Sequence, residues 1–483
     1  MLVTDELTRR AMAAVAEAAP RAAADPARPV YHFLPPAQWM NDVHGAFHHR
    51  GWYHVFFQFL PWSDDITEVK ARGIGWGHAR SRDLVHWQFL PPALLPRPED
   101  GARSLASGSS WIRTDGVPML FYTHTPVGFP ERKREPRGAL PVDDELRVWR
   151  TVDLGLAPGN SGVPADIPAI WADIYLFGHG DRVFATFKQS DGLVCEAQNR
   201  ELTEWRAVGH LGGTASIAAH EDGVAGECPN VFTLQGRCVL IRSTYPISYL
   251  LGDFDPDAVA FMPAGPPRIL DYGYGGAVQP ALHSRGLYGT TAFVDPGGRT
   301  ILAGWVSGFA KGRGWNGCMS LPRVLSIDGG RLIQAPLPEL GLLRRRHTRI
   351  EHLHLDGGGA RPVPVVRGKA LEIVAELAPR DAAACGLRVR CRADGSGGLA
   401  IRYTPGTLDV AGTRVPLRLA AGDTLRLHLF LDHSVLELFI QHGAAAVTRV
   451  DYPPEDDVAV ALFADGGPAT AISLDAWAIN AIW

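Results

Sequence analysis

Short apolar runs, each bounded by turn-forming residues, recur along most of this chain and constrain its fold more than any other feature. The runs are rich in β-branched and aromatic residues and are separated by clusters of Gly, Pro, Asp and Asn, as β-strands are. Clear examples are GWYHVFFQFLP (51–61), VPMLFYTH (117–124), DRVFATFKQ (181–189), RCVLIRS (237–243), LYGTTAFVD (287–295) and RTILAGWVS (299–307). Beyond the N-terminal segment no long helical periodicity interrupts them, so the sequence predicts an all-β protein.

Strands that recur in this way favour a propeller, a barrel or a sandwich. A propeller is attractive because about 300 residues divide naturally into five or six four-stranded blades of about 40–60 residues each. No clean repeat of residue identity is present in the sequence. The number of blades therefore does not follow from the residues alone.

A change in composition near residues 335–365 marks a boundary between two domains. This stretch is rich in Pro, Gly and Arg, unlike either flank. The segments that follow it, such as TLRLHLFLDHSVLELFIQ, alternate between apolar and polar residues with period two, as the strands of a sandwich do. We therefore expect a larger domain at 30–340 and a smaller β-sandwich at 350–483.

The first 29 residues follow a helical pattern instead. Thr4, followed by Leu7, Met12, Val15 and Ala18, predicts a capped, amphipathic helix. A secretion signal needs a basic start and then an apolar run, whereas charged residues are scattered through this region. No run of 18 apolar residues exists in the chain, so no transmembrane helix is predicted. We expect a cytoplasmic protein, and the helix leaves open whether the chain forms a homo-oligomer.

Charge and cysteine content exclude several classes of function. The net charge of −4 gives no reason to expect nucleic acid or an anionic membrane as a partner. The six cysteines show no CxxC spacing and are few for a disulfide scaffold of this length, so reduced thiols and no metal site are expected. The Gly-rich stretches lack the spacing of a phosphate-binding loop. Thirteen tryptophans fit either sugar stacking or core packing.

Residues 125–148 (TPVGFPERKREPRGALPVDDELRV) stand apart, with four prolines and ten charged residues. The composition predicts an exposed loop between strands. A loop this long is usually functional or disordered. It could border a pocket or contact another subunit.

Three acids are framed by apolar residues, which makes them candidates for chemistry. They are Asp42 in WMNDVHG, Asp173 in AIWADIYLF and Glu227 in VAGECPNVF. Each alone has an ordinary explanation, because an Asn-Asp pair is typical of a turn and a buried acid is often simply hydrogen-bonded. Hydrolysis at a sugar needs two facing carboxylates, one acting as nucleophile or base and the other as an acid.

A set of motifs spread over the chain favours a catalytic role for these acids. The set resembles glycoside hydrolase family 32, the invertase and fructanase family, in the family's order and over about residues 30–483. The matching motifs are WMND–G (39–45), FFQF (56–59), GWGHARSRDLVHW (75–87), ASGSS (106–110), AD–YLF (172–177), ECPNVF (227–232), GWNGCMSLPR (314–323), DHSVLELF (432–439) and TRVDYP (448–453).

The resemblance implies a five-bladed β-propeller followed by a β-sandwich, and retaining hydrolysis of β-fructofuranosides such as sucrose or short fructo-oligosaccharides. By motif, Asp42 is the nucleophile, Glu227 the general acid/base, and Asp173 binds sugar hydroxyls and stabilises the transition state. Carboxylates do this chemistry without a metal or cofactor. The expected substrate-binding residues are Asn41, Gln58, Trp76 and Ser107, with Trp39 and Trp315 as walls of the pocket and with His44 and Cys228.

Two departures from the family affect the substrate more than the reaction. Val43 and His44 stand where the family usually has Pro-Asn, so that His44 either contacts substrate or is a turn residue with a satisfied ring. Ala172-Asp173-Ile174 replaces the family's Arg-Asp-Pro, and Ala supplies none of the forked, charged donors of an arginine. The cations that could fill in are Arg147, Arg150, Lys188 and the basic residues of the 125–148 segment.

Three other functions compete with hydrolysis. A sugar hydroxyl could intercept the glycosyl-enzyme instead of water, which would make the protein a fructosyltransferase. Ala172 could mark a glycosidase for another furanoside or a modified fructoside. The third is of a different class, a non-catalytic carbohydrate-binding protein.

Overall fold

The computed structural model describes residues 5–165, 172–188, 192–212, 226–273 and 286–482. Within these residues the strands form seven sheets, five in the N-terminal part and two in the C-terminal part. The helices are α1 (Glu6–Ala23) and the single turn α2 (Val69–Arg72), and short 3-10 helices occupy Ile66–Glu68, Pro98–Asp100 and Pro338–Leu343.

The first five sheets are the blades of a propeller. Blade 1 contains β1 (Gln38–His49), β2 (Trp52–Leu60), β3 (Gly75–Ser81) and β4 (Trp87–Leu94), and blade 2 contains β5 (Ala102–Ile112), β6 (Pro118–Pro126), β7 (Glu135–Pro141) and β8 (Trp149–Asp153). Blade 3 contains β9 (Ala172–His179), β10 (Arg182–Lys188), β11 (Leu193–Ala197) and β12 (Trp205–His210). Blade 4 contains β13 (Glu227–Leu234), β14 (Arg237–Ser243), β15 (Ser248–Asp255), β16 (Ala260–Pro263) and β17 (Arg268–Ile269). Blade 5 contains β18 (Gly286–Val294), β19 (Thr300–Ser307), β21 (Cys318–Met319), β22 (Arg323–Asp328) and β23 (Arg331–Pro336).

The blades close into a ring. The innermost strands β1, β5, β9, β13 and β18 each contact the next, and β18 returns to contact β1. A short strand, β20 (Trp315–Asn316), leaves the fifth blade and pairs in parallel with β1, which fastens the last blade to the first. The prediction of a five-bladed propeller is therefore confirmed.

Apolar residues between neighbouring blades explain why the sheets stack. Phe56 and Trp76 of blade 1 share a buried cluster with Leu120 of blade 2, and Phe177 of blade 3 shares one with Leu240 of blade 4. Similar clusters fill the other three interfaces. Each blade can bury its two faces only against its neighbours, so neighbouring blades stabilise one another.

The C-terminal sheets form the expected β-sandwich. One sheet contains β24 (Arg344–Leu355), β26 (Ala370–Ala378), β31 (Leu425–Asp432), β32 (Val435–Ile440), β33 (Ala445–Val450) and β35 (Ala469–Ile479). The other contains β25 (Gly358–Arg367), β27 (Ala384–Cys391), β28 (Leu399–Thr404), β29 (Gly406–Val410), β30 (Thr413–Leu417) and β34 (Ala459–Asp465). Leu371, Ile373, Ala375 and Leu377 alternate along β26 and are buried between the sheets, as period-two alternation predicts.

The N-terminal helix is present, but its cap differs from the expectation. Asp5 accepts a hydrogen bond at 2.9 Å from the Thr8 N–H and so caps the helix, while Thr4 lies outside the described residues. The helix contacts β4 and β1 of the first blade and buries Ala11, Val15 and Ala22. No helix of the described residues is long and apolar enough to cross a membrane.

The prediction that residues 125–148 form one exposed loop is wrong. Its middle is β7, the third strand of blade 2, and Ala139 is completely buried there. The sequence of β7 does not look like a strand, because it has prolines near both ends and charged residues around it. Pro cannot donate a hydrogen bond to a sheet. Only the turn that precedes β7 and the turn that follows it fit the predicted loop.

Buried charges join the propeller to the sandwich. His32 lies between two sandwich carboxylates, with Nδ1 2.8 Å from Asp432 Oδ2 and Nε2 3.2 Å from Glu437 Oε1. Burial by itself lowers the pKa of the imidazole, but hydrogen bonds to the two carboxylates outweigh burial and raise the pKa of His32 to about 9. The histidine is therefore charged and paired at neutral pH.

This pairing makes stability depend on pH. Because the folded pKa lies above the unfolded value of about 6.5, the stabilisation of about 3 kcal/mol is fully present below that pH and is lost as pH rises through 9. We expect the apparent Tm of the wild type to fall across this interval, and that of His32→Gln to fall less. Thermal unfolding at pH values between about 6 and 10 measures both slopes, and parallel slopes would contradict the pairing.

Candidate active site

The three acids singled out in the sequence stand near the starts of three innermost strands. Asp42 lies in β1, Asp173 is the second residue of β9, and Glu227 is the first residue of β13. Cys228, the residue after Glu227, connects the two aspartates, because its backbone N–H donates to Asp173 Oδ2 at 3.2 Å and its thiol donates to Asp42 Oδ2 at 3.5 Å. Burial raises the pKa of the Cys228 thiol well above its usual range, so the thiol keeps its proton.

An irregularity in β1 presents Asp42. The register between β1 and β2 shifts between Met40 and Val43, as it does at a bulge that re-aims a side chain. Ser107 Oγ on β5 donates to Asp42 Oδ2 at 2.7 Å. Gly289 of β18 packs so closely that a Cβ there would lie 2.5 Å from Asp42 Oδ1. Asp42 is thus a strand residue held from both neighbouring blades, and its interpretation as a turn residue is wrong.

Asp173 is buried and strained. It is 8% exposed, and its φ of 56° is unusual for a residue other than glycine. Its backbone N–H donates to Thr123 Oγ1 at 3.0 Å. Burial raises the pKa of the Asp173 carboxyl, the Lys188 charge opposes that rise, and the Asp42 charge adds to it. The two aspartates therefore act on each other electrostatically.

Glu227 has two partners from neighbouring blades. Tyr288 of β18 donates its hydroxyl proton to Glu227 Oε2 at 2.6 Å. Lys188 of β10 forms an ion pair with Glu227 Oε1. The Tyr245 ring stacks on Tyr288 with ring centres 4.7 Å apart. A carboxylate with a phenol on one oxygen and an ammonium on the other has its orientation fixed.

Three of the predicted pocket residues form a hydrogen-bonded chain beside Asp42. Trp39 Nε1 donates to Asn41 Oδ1 at 2.8 Å, and Asn41 Nδ2 donates to Gln58 Oε1 at 2.7 Å. Trp39 also meets the Trp305 ring edge to face, with ring centres 5.8 Å apart. The chain fixes β1 against β2 next to the bulge that presents Asp42.

Trp76 and His44 are covered by protein. Trp76 is fully buried and its indole N–H donates at 3.1 Å to the carbonyl of Ala106, the neighbour of Ser107. His44 packs edge to face on Trp76 with ring centres 3.8 Å apart, and burial lowers the pKa of its imidazole to about 3. Neither ring nitrogen of His44 has a hydrogen-bond partner among the described residues. The satisfied ring expected of a turn histidine is therefore not found, and His44 is a neutral core residue.

The structure does not bring Trp315 to the acids. Trp315 is fully buried, its indole N–H donates to Asp25 Oδ2 at 2.9 Å, and its ring meets Phe309. It pairs across β20 and β1 with Gln38. A side chain enclosed by the N-terminal segment cannot form the wall of a pocket, so this expectation is wrong.

Sequence reasoning missed Tyr288. The residue lies in LYGTTAF, which matches the family only loosely, and the residues between 274 and 285 that precede its strand are outside those described. Lys188 was one of several candidate cations in the sequence. The strand register, which places it opposite Ala172, distinguishes it from the others. No group of three or more His, Cys, Asp or Glu side chains in the described part of the chain could hold a metal ion.

Comparison with known proteins agrees with the geometry. The sequence model for the N-terminal domain of glycosyl hydrolases family 32 matches residues 32–336, and the model for the C-terminal domain of that family matches residues 339–478. The chain belongs to glycoside hydrolase family 32. It is therefore a glycoside hydrolase, an enzyme that cleaves O-glycosyl bonds.

Curated relatives of this family 32 enzyme match over nearly their whole length. Sucrose-6-phosphate hydrolase of Bacillus subtilis is 29% identical over 93% of this chain and 94% of the relative. Raffinose invertase of Escherichia coli is 28% identical over 94% of this chain and 95% of the relative.

Solved structures share the fold of this family 32 enzyme. Fructan 1-exohydrolase IIa of Cichorium intybus superposes with a TM-score of 0.78 at 21% identity, over 95% of this chain and 98% of the other. Sucrose-6-phosphate hydrolase of Lactobacillus gasseri superposes with a TM-score of 0.79 at 23% identity, over 98% of this chain and 97% of the other.

Proposed function

We propose that this glycoside hydrolase cleaves terminal β-fructofuranosides with retention of configuration, through a covalent glycosyl-enzyme. The observation that carries the proposal is the cluster of Asp42, Asp173 and Glu227, joined through Cys228, in a chain of family 32. Its relatives include sucrose-6-phosphate hydrolases and a raffinose invertase. Three carboxylates in one cluster support catalysis over sugar binding alone, since Asp173 is buried and burying an acid is costly without a use.

Asp42 is the nucleophile in this proposal. A carboxylate oxygen attacks the anomeric carbon, and the hydrogen bond from Ser107 to Oδ2 holds the Asp42 carboxylate in place. Attack forms an ester between Asp42 and the fructosyl unit and releases the leaving sugar. Water then attacks the anomeric carbon from the side that the leaving sugar has vacated and displaces Asp42. The two inversions give net retention.

Glu227 is the general acid/base. It protonates the leaving oxygen in the first step and removes a proton from water in the second. Tyr288 and Lys188 fix the orientation of the Glu227 carboxyl group. Asp173, buried and beside Asp42, accepts hydrogen bonds from the fructosyl hydroxyls, which strengthen as charge develops on the ring.

The proposed substrates differ in the leaving group. Sucrose, short fructo-oligosaccharides and sucrose 6-phosphate all present a terminal β-fructofuranosyl unit, and sucrose 6-phosphate appears in the name of a relative. We further propose a reducing compartment such as the cytoplasm, because all six cysteines are free thiols.

A sugar panel tests the proposal. Sucrose, sucrose 6-phosphate, kestose, inulin and levan are incubated with the enzyme, and products are separated by chromatography. We expect free fructose from at least one of the short sugars. Longer oligomers in place of fructose would indicate transfer to a sugar hydroxyl. Binding without any turnover across the panel would contradict the proposed hydrolysis.

A further inference from the structure

The position that carries the family's arginine is buried and apolar in this chain. Ala172 begins β9 and is 3% exposed. Alanine offers no side-chain donor to a sugar or to a carboxylate. Any charge needed at this place must come from another residue.

The strand register identifies that residue. Lys188 of β10 is the direct cross-strand partner of Ala172, after a shift of register between Thr186 and Lys188. Directly opposed residues project their side chains to the same face of a sheet. Lys188 therefore projects from the strand beside Ala172 toward the side on which the missing arginine would lie.

The contacts of Lys188 show that its ammonium reaches the acids. It forms an ion pair with Glu227 Oε1, and its side chain is 22% exposed. Its charge acts against the burial-driven rise in the pKa of Asp173 and in the pKa of Cys228. Arg134, from the turn before β7, is a second cation whose charge acts on Asp173.

We propose that Lys188 supplies from β10 the positive charge that family 32 carries on the residue before its middle aspartate, and that it positions Glu227 and favours fructosyl binding. The inference rests on the proposed function. Lysine is a point charge on a flexible stem, whereas arginine is a planar fork. Because its ammonium contacts Glu227 and Ala172 carries no charge, Lys188 acts as a positioning residue for the acid/base.

A pH profile reports on this role. The groups that face Glu227 are Lys188 of β10 and Tyr288 of β18 directly, with Asp42 of β1 and Asp173 of β9 linked through Cys228. Removal of the only cation in direct contact within the described residues favours the protonated carboxyl group of Glu227. The alkaline limb of kcat/KM should then move to higher pH.

The test compares Lys188→Met with Lys188→Arg, both on the sugar that the wild type hydrolyses best. We expect Lys188→Met to lower kcat/KM by about 10- to 100-fold and to shift the alkaline limb, as loss of a charged hydrogen bond does. Lys188→Arg should keep most of the activity and the wild-type limb. Arg182→Met is the matched control, because Arg182 lies at the other end of β10 and pairs with Glu196.

The sharpest version moves the charge back. In a Lys188→Met background, Ala172→Arg should restore activity. If this double variant does not fold, the pH profiles of Lys188→Met and Lys188→Arg decide whether Lys188 positions Glu227. The inference is overturned if Lys188→Met stays within about twofold of wild type with an unshifted profile. In that case wild-type turnover and an inactive Asp42→Asn would leave the proposed function standing. Absence of fructose release by the wild type would overturn both.

Discussion

Replacing Asp42 with asparagine is expected to lower kcat on the best fructoside by about 10⁴-fold or more, since no covalent intermediate can form without the nucleophile. Asparagine has the shape of aspartate, and Ser107 can still donate to its amide oxygen. The fold should therefore survive, and substrate should still bind. Initial rates, thermal unfolding and a binding titration on the same preparation separate the loss of chemistry from a loss of structure.

Asp115→Asn is the matched control, because Asp115 is an exposed turn acid paired with Arg113. It should leave kcat within about twofold of the wild type. If Asp42→Asn instead kept a tenth of the wild-type rate, Asp42 would not be the nucleophile, and another of the clustered acids would have to be.

The largest effect on stability is expected from Arg323→Met. Arg323 is 1% exposed and donates to Asp271 at 3.0 Å, to Gln334 at 2.8 Å, to Glu437 at 2.6 Å and to Thr448 at 2.7 Å. Asp271 and Glu437 are buried as well, so methionine would leave Asp271 without its cation and would leave Glu437 with His32 but without its arginine. Breaking a buried pair in this way costs about 3–5 kcal/mol. Denaturant unfolding, followed by tryptophan fluorescence, measures the loss.

An exposed arginine provides the comparison. Arg349 pairs with Glu351 and Asp475 at the surface of the sandwich, with half of its side chain exposed. Arg349→Met should lower the free energy of unfolding far less than Arg323→Met does, because solvent screens such pairs. Equal losses for the two variants would show that the charges between propeller and sandwich do not hold the two parts together.

The elements of this fold were readable from the sequence wherever local pattern decides. The runs at 51–61 and 237–243 became β2 and β14, and the alternating segments after residue 365 became sandwich strands. The number of blades was not readable from the residues, because it depends on contacts between strands far apart in the chain. It came only from the resemblance to a family. β7 was missed because its prolines and flanking charges outweigh a short apolar middle.

The same division applies to the site. The motifs identified Asp42, Asp173 and Glu227, and the structure brings these acids together as expected. The partners that orient them depend on register, which a sequence does not reveal, so Tyr288 was missed and Lys188 was one candidate among several. Trp315 carried a motif but faces Asp25, because β20 turns it toward the N-terminal segment.

The central claim, covalent catalysis by Asp42 with net retention, is tested most directly by the configuration of a trapped product. Methanol competes with water for the glycosyl-enzyme and yields a methyl fructofuranoside that does not interconvert between anomers. NMR spectroscopy of that product from wild-type enzyme and sucrose should show the β-anomer alone. The α-anomer would mean a single displacement, with Asp42 acting as a base, and would contradict the mechanism.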